Sequence, residues 1–307
     1  MVKRKNNFVT HPDNHILEVK TTQTSAFKQA IERIANVISE CCIVFQSSKK
    51  ENNKKNNKSS KREKKENDHQ NNSKNDGIQI VRLSEDKTIL INVQMDAQNF
   101  EYFQCNEPKI VVGVDLQYLH NSLKIINDDA PIVIYMMHDN RSTLYIKCLN
   151  EYTGSTEETL IEINLMDIAN HEMPLPRMEF QNRITISSDK FHNICKNLNN
   201  SSTYVEITSI NNQISFRGQN ENGKITMTYK DTEFSNCYQD SNLVIQGVYE
   251  LRNLIYFSKC SKLCNKIHLY LKNDFPLVLS ISIASLGKMY VFISPVDPVE
   301  NIRQNDN

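Results

Sequence analysis

Two helix-opening stretches of similar design recur far apart in this chain. Gly113-Val114-Asp115-Leu116 begins an apolar-periodic helix, and Gly247-Val248-Tyr249-Glu250-Leu251 begins another 134 positions later. A second pair, anchored on Phe27 with Ile31 and Ile34 and on Phe191 with Ile194 and Leu198, is 164 positions apart. The mismatch of 30 nearly equals the length of a Lys/Asn-rich tract, Lys49–Asp76, lying between Phe27 and Gly113. Without that tract the chain reads as two copies of one strand-rich unit with two helices each. Such a repeat decides architecture before local propensity does. At 307 residues there is room for two units with real cores.

The tract holds ten Lys or Arg against five Asp or Glu and no aliphatic residue, so it is expected to be disordered. Because the whole chain has zero formal charge, the remainder carries five more acidic than basic residues. A uniformly basic nucleic-acid binder is thereby excluded, and any such contact must come from a local patch on an acidic body. Met1–Lys5 is basic but leads into no apolar core, and no apolar run is long enough to cross a bilayer, so a soluble intracellular protein is expected.

Patterning predicts a loose segment over 1–14, a first unit over 15–165, a connector over 166–181, a second unit over 182–296 and a tail over 297–307. Strands are expected at Leu17–Lys20, Cys41–Phe45, Ile78–Leu83, Thr88–Met95, Phe100–Cys105, Ile132–Met136, Thr143–Cys148 and Glu158–Leu165. In the second unit the pattern predicts helices over 189–199 and 249–260. Strands follow at Tyr204–Thr208, Gln213–Arg217, Lys266–Leu271, Leu277–Ile283 and Met289–Ile293. Asn222-Gly223 suits a tight hairpin turn between Gln213–Phe216 and Lys224–Met227. The connector contains Met173-Pro174-Leu175-Pro176, an extended and apolar stretch that is either a docking surface or a strap on its own domain.

Catalytic signatures are missing. Seven glycines form no phosphate-binding loop, no Gly-x-Ser-x-Gly occurs, and the eight cysteines make no Cys-x-x-Cys pair. Neither metal nor cofactor is expected. What remains is charge on helices: Lys28 and Arg33 on the first, Lys124 with His120 on the second, Lys190 and Lys196 on the third, Arg252 and Lys259 on the fourth. Four basic helices against an acidic body suit many weak phosphate contacts without base readout.

The stretch from Asp274-Phe275-Pro276-Leu277-Val278-Leu279 through Ile283–Gly287 to Val291-Phe292-Ile293-Ser294-Pro295 resembles the last hairpin of the proliferating cell nuclear antigen family. Phe100–Cys105 with Val112-Gly113-Val114, and Leu165-Met166-Asp167 with Met173–Pro176, are similar to its central strands and interdomain connector. The likeness runs from about His15 to Val296. It implies an α+β fold, two tandem copies of the DNA-clamp domain, in a homotrimeric ring with helices lining the hole and antiparallel sheets outside. It implies no catalysis. The ring would be placed on double-stranded DNA by a clamp loader, and would hold DNA polymerase and other proteins through short interacting peptides.

Carried onto this sequence, the resemblance assigns DNA contacts to Lys28, Lys124, Lys196, Arg252 and Lys259. It assigns the peptide groove to Leu83, Lys87, Leu90, Met173, Leu175, Pro176, Phe275, Pro276, Phe292, Ser294 and Pro295. It assigns subunit contacts to Ile161, Ile163, Ile225 and Met227. Gln29, Ala35, Asn121 and Asn193 stand where the family usually has Lys or Arg, which implies a weaker grip. A nuclear site is the family default; the Asn/Lys bias equally fits an AT-rich parasite or a large DNA virus. Competing readings are a checkpoint-type heterotrimeric clamp subunit and a small enzyme built on Cys195 or His138.

Overall fold

A computed structural model describes residues 14–47, 76–152, 155–169, 180, 182–210, 213–230, 233–236 and 244–296. The first copy runs β1 His15–Thr21, α1 Thr24–Ala35, β2 Glu40–Gln46, β3 Gly77–Leu83, β4 Ile89–Asp96, β5 Tyr102–Cys105, β6 Lys109–Asp115, α2 Leu116–Leu123, β7 Ile132–Met137, β8 Thr143–Tyr152 and β9 Ser155–Asn164. The second runs β10 Asn182–Ser187, α3 Ser188–Asn199, β11 Tyr204–Ile210, β12 Gln213–Asn220, β13 Gly223–Tyr229, β14 Glu233–Asn236, β15 Ile245–Glu250, α4 Leu251–Ser258, β16 Lys266–Leu271, β17 Leu277–Ile283 and β18 Gly287–Ile293. The two element orders are identical, as the repeat predicts.

The sheets obey the same duplication. The first copy's β5-β1-β7-β8-β9 forms a five-stranded antiparallel sheet, and β13-β12-β11-β15 of the second forms a four-stranded one. Their counterparts are fused: β14-β10-β16-β17-β18 continues directly into β4-β3-β2-β6, giving one nine-stranded sheet. The β18–β4 junction, from Gly287↔Met95 to Ile293↔Ile89, joins the copies by backbone ladder. Apolar side chains on the inner faces bury against the helices in one continuous core.

Two helix ends show why the elements start where they do. Asp115 Oδ1 accepts from the Tyr118 amide at 2.9 Å, and Ser187 Oγ accepts from the Lys190 amide at 3.3 Å, each satisfying an orphan donor of the first turn. Three expectations need correction. Residues 249–250 end strand β15 instead of opening α4, because Tyr249 and Glu250 pair with Val205 and Tyr204. Strand β14 goes unannounced by its sequence, with Phe234 its single apolar residue. The hairpin turn is Glu221-Asn222, since Asn220 pairs with Gly223; Asn220 Oδ1 accepts from the Asn222 and Gly223 amides, and of these residues only Gly223 takes positive φ. The tract 49–76 lies outside the described residues apart from Asp76.

Candidate nucleic-acid interface and docking groove

All four helices pack on one side of the sheets. Gln117 on α2 donates to the Ala35 carbonyl at the end of α1, and His192 on α3 meets Ser258 Oγ on α4 at 2.9 Å. The end of α1, Gln117, and Arg252, Asn253 and Tyr256 of α4 line a single cleft between the copies. Cations converge on this side. The His120 imidazole is held below its ordinary pKa by burial and by Lys124, Arg33 and Lys28, against a raising pull from Glu32. His192 is lowered likewise by burial, then by Lys259 and Lys196, with Arg33 adding and Asp189 opposing. Each histidine therefore feels positive charge from helices other than its own.

The sequence-assigned cations are not equivalent. Lys124, Lys196 and Lys259 are exposed. Lys28 is half-buried, its Nζ donating to the Ile126 carbonyl and to Asp128 Oδ1, both at 2.6 Å. Arg252 is exposed but its Nε donates to Glu250 at 2.7 Å, with Asp86 3.9 Å from Nη2. Arg33, expected on a solvated face, is buried, and its Nε has no hydrogen-bond partner. Lys190 lies with its Nζ 4.1 Å above the Tyr229 ring, beside strand β13.

On the opposite face of the nine-stranded sheet, register assembles part of the groove. Leu83 faces Leu90, Leu90 faces Phe292, Phe292 faces Val278, Val278 faces Tyr270, and Tyr270 faces Arg183. Their chain neighbours Ile91, Val291, Leu279, Leu269 and Ile184 point into the core, so this row lies on the outer face. Leu83, Leu90 and Phe292 are half-buried and apolar on that face. Ser294 donates its amide to the Thr88 carbonyl at 2.9 Å, placing it beside the turn that carries exposed Lys87, whose φ is 59°. Half-buried Phe275 and Pro276 enter β17 just before Leu277, the partner of Ile293; Pro295 is exposed. Met173, Leu175 and Pro176 lie outside the described residues.

The connector's first residues cross this outer face. Met166 bridges to Gly113, and Cys42 Sγ contacts the Ile168 carbonyl at 3.4 Å. Gly113 is required by that approach: a Cβ there would overlap the Met166 carbonyl oxygen and lie 3.0 Å from Ile168 Cγ1. Gly113→Ala is expected to destabilise the chain by about 1–3 kcal/mol, read as a lower denaturation midpoint, because neither backbone can retreat without strain.

Ile161 and Ile163 of β9 are buried against the first unit's own core, Ile163 fully and Ile161 with a small part of its side chain left at the sheet's open edge. Ile225 of β13 is 42% exposed and Met227 is half-buried. Leu160, missed by sequence reasoning, is 45% exposed on β9; alternation on that strand was its only signal.

The residues proposed for an enzyme are poorly set up for it. Burial pushes the Cys195 thiol up to about 12, and His138 is exposed at the end of β7. Cys264 is half-buried where Cys41 and Cys195 are fully buried, and a hydrogen bond from the Cys260 thiol leads the causes that lower its pKa. Iodoacetamide at pH 7 is therefore expected to alkylate Cys264 ahead of Cys41 and Cys195, as peptide mapping would show.

A doubled unit with its four helices on one side and an apolar row on the other defines a tandem clamp-fold protein. Residues 174–296 match the model for the proliferating cell nuclear antigen C-terminal domain, and residues 64–172 match that for its N-terminal domain. The chain belongs to the proliferating cell nuclear antigen family. A probable DNA polymerase sliding clamp of Acanthamoeba polyphaga mimivirus is 55% identical over 293 residues, 93% of this chain. The chain spans 63% of that relative's length. An uncharacterized protein of the same virus, L823, is 27% identical over 305 residues, covering 97% of this chain and 84% of its own.

Proposed function

We propose that this protein is a DNA sliding clamp: three copies close head to tail into a ring around duplex DNA, and the outer groove tethers polymerase. The observation that carries the proposal is the β18–β4 junction. Within one chain the second copy's last strand pairs with the first copy's β4; the equivalent strands, β9 and β13, end their sheets unpaired among the described residues. Repeating the junction between chains would satisfy both edges and generate a closed, head-to-tail assembly.

The duplication also supports a register. Aligning α2 with α4 on Leu116 and Leu251 puts Ile132 on Ile267, and the ladders carry this to Ile161 on Val291. Aligning α1 with α3 on Phe27 and Phe191 puts Phe45 on Ser209, hence Ile91 on Ile225. The junction pairs Val291 with Ile91 and Phe292 with Leu90. Transposed between subunits, these become Ile161↔Ile225 and Glu162↔Lys224, an apolar pair and an opposite-charge pair.

The five assigned cations would face the DNA; Lys124, Lys196 and Lys259 are the exposed ones without a carboxylate partner among the described residues, Lys124 donating only to the Asn121 amide oxygen. The row through Leu83, Leu90 and Phe292, completed by Met173, Leu175, Pro176, Phe275, Pro276, Lys87, Ser294 and Pro295, would take the partner peptide. A clamp loader would be needed to open the ring. Both relatives are viral, which supports a role in viral DNA replication. Two measurements test the proposal together: mass in solution, expected at three chains, and retention on closed circular duplex after loading, expected to be lost when the circle is cut. A monomer that never stays on the circle would exclude it, and trimerisation by this chain alone would exclude the heterotrimeric reading.

A further inference from the structure

We propose that Tyr118 and Tyr256 contact DNA directly, their phenol hydroxyls donating hydrogen bonds to phosphodiester oxygens on the four-helix face. The proposal rests on the reading that a duplex crosses this face. Tyr118 is 53% exposed and Tyr256 36%, and neither hydroxyl has a hydrogen-bond partner among the described residues. Tyr256 follows Arg252 by four residues on the exposed side of α4, and exposed Lys259 caps the helix three residues further on. Tyr118, in the first turn of α2, heads the stripe that continues through Asn121 to Lys124. Its neighbour Gln117 and Tyr256 line the same cleft, about 390 Å³, between the two copies. Tyr256 therefore lies at the seam, and Tyr118 follows directly after the seam residue Gln117.

The occupant follows from charge and hydrogen-bonding sense. Burial first, and then cations from more than one helix, hold both of its histidines low; Lys124, Lys196 and Lys259, exposed on the same face, favour an anion. A phosphodiester oxygen only accepts, and a phenol can donate to it without releasing a counterion. Free cations are also fewer than the sequence suggests. Lys28 is held by Asp128, Arg33 is buried, and Arg252 is paired with Glu250. Neutral donors at 118 and 256 add grip where charge is already engaged.

Binding of the full chain to a fluorescent duplex oligonucleotide, followed by anisotropy over a salt series, tests this. Tyr118→Phe and Tyr256→Phe keep the ring and should each weaken binding roughly two- to tenfold, with the salt slope unchanged. Lys196→Gln and Lys259→Gln should each make that slope less negative by about 0.9. If the double phenylalanine variant binds like the parent while the lysine variants flatten the slope, the tyrosine contacts are refuted and the DNA face stands. If none of the four has an effect, the DNA face falls with them.

Discussion

Ile225→Asp is expected to yield a monomer where the parent chain runs as a trimer. Ile225 is exposed in the single chain, so a carboxylate there remains solvated and the unit's own melting point should barely move. In the ring, the transposed register puts it opposite Ile161 of the next subunit, where a carboxylate would be buried without a partner. That costs several kcal/mol at each of the three interfaces, enough to outweigh a short strand pairing. Light scattering after gel filtration reads the result directly. The neighbouring pair supplies a sharper control. Lys224→Glu sets like charges face to face across the same ladder and should raise the concentration at which the ring forms; adding Glu162→Lys should bring it back down. A normal trimer from Ile225→Asp would show that β13 is not a subunit edge. Failure of the charge reversal alone would show that the strands meet in another register.

Much of the fold was legible because strands in this chain alternate and helices keep a clean apolar stripe. The duplication multiplied that signal: Phe27 and Phe191, Leu116 and Leu251 mark equivalent helix positions, and the element order follows. What escaped depended on partners distant in sequence. Gly113-Val114-Asp115 and Gly247-Val248-Tyr249 both looked like helix starts, whereas pairing with β2 and with β11 makes them strand ends, and the helices open only at Leu116 and Leu251. Lys28 looked free, and only the loop a hundred residues on, with Asp128 and the Ile126 carbonyl, reveals it as partly engaged. Arg33 sits in an ordinary helical pattern and nothing local says that it is buried. The groove shows the same division. Leu83, Leu90 and Phe292 were named from resemblance; that they form one row needs the registers of β3, β4 and β18, which no single-strand pattern contains.

That row makes the second large prediction. A peptide of the form Gln-x-x-aliphatic-x-x-aromatic-aromatic should bind the parent chain, and Phe292→Ala should weaken it by about 2 kcal/mol, roughly thirtyfold. Phe292 lies at the centre of the row, with Leu90 on one side and Val278 on the other. Truncating it removes the aromatic surface at the middle of that row. The substitution should cost little stability, since the ring is half-exposed and points away from the core. Phe292→Tyr should bind about as well as the parent, because it restores the ring and adds only a hydroxyl at the rim; a loss there would mean that the site tolerates no polar atom. Met173→Ala and Leu175→Ala test the other wall and should each cost tenfold or more if the connector closes over the peptide. Calorimetry with the peptide separates the walls: loss in the Phe292 variant with intact binding in both connector variants would leave the sheet as the whole site. Intact binding in all three would put the partner elsewhere on the ring.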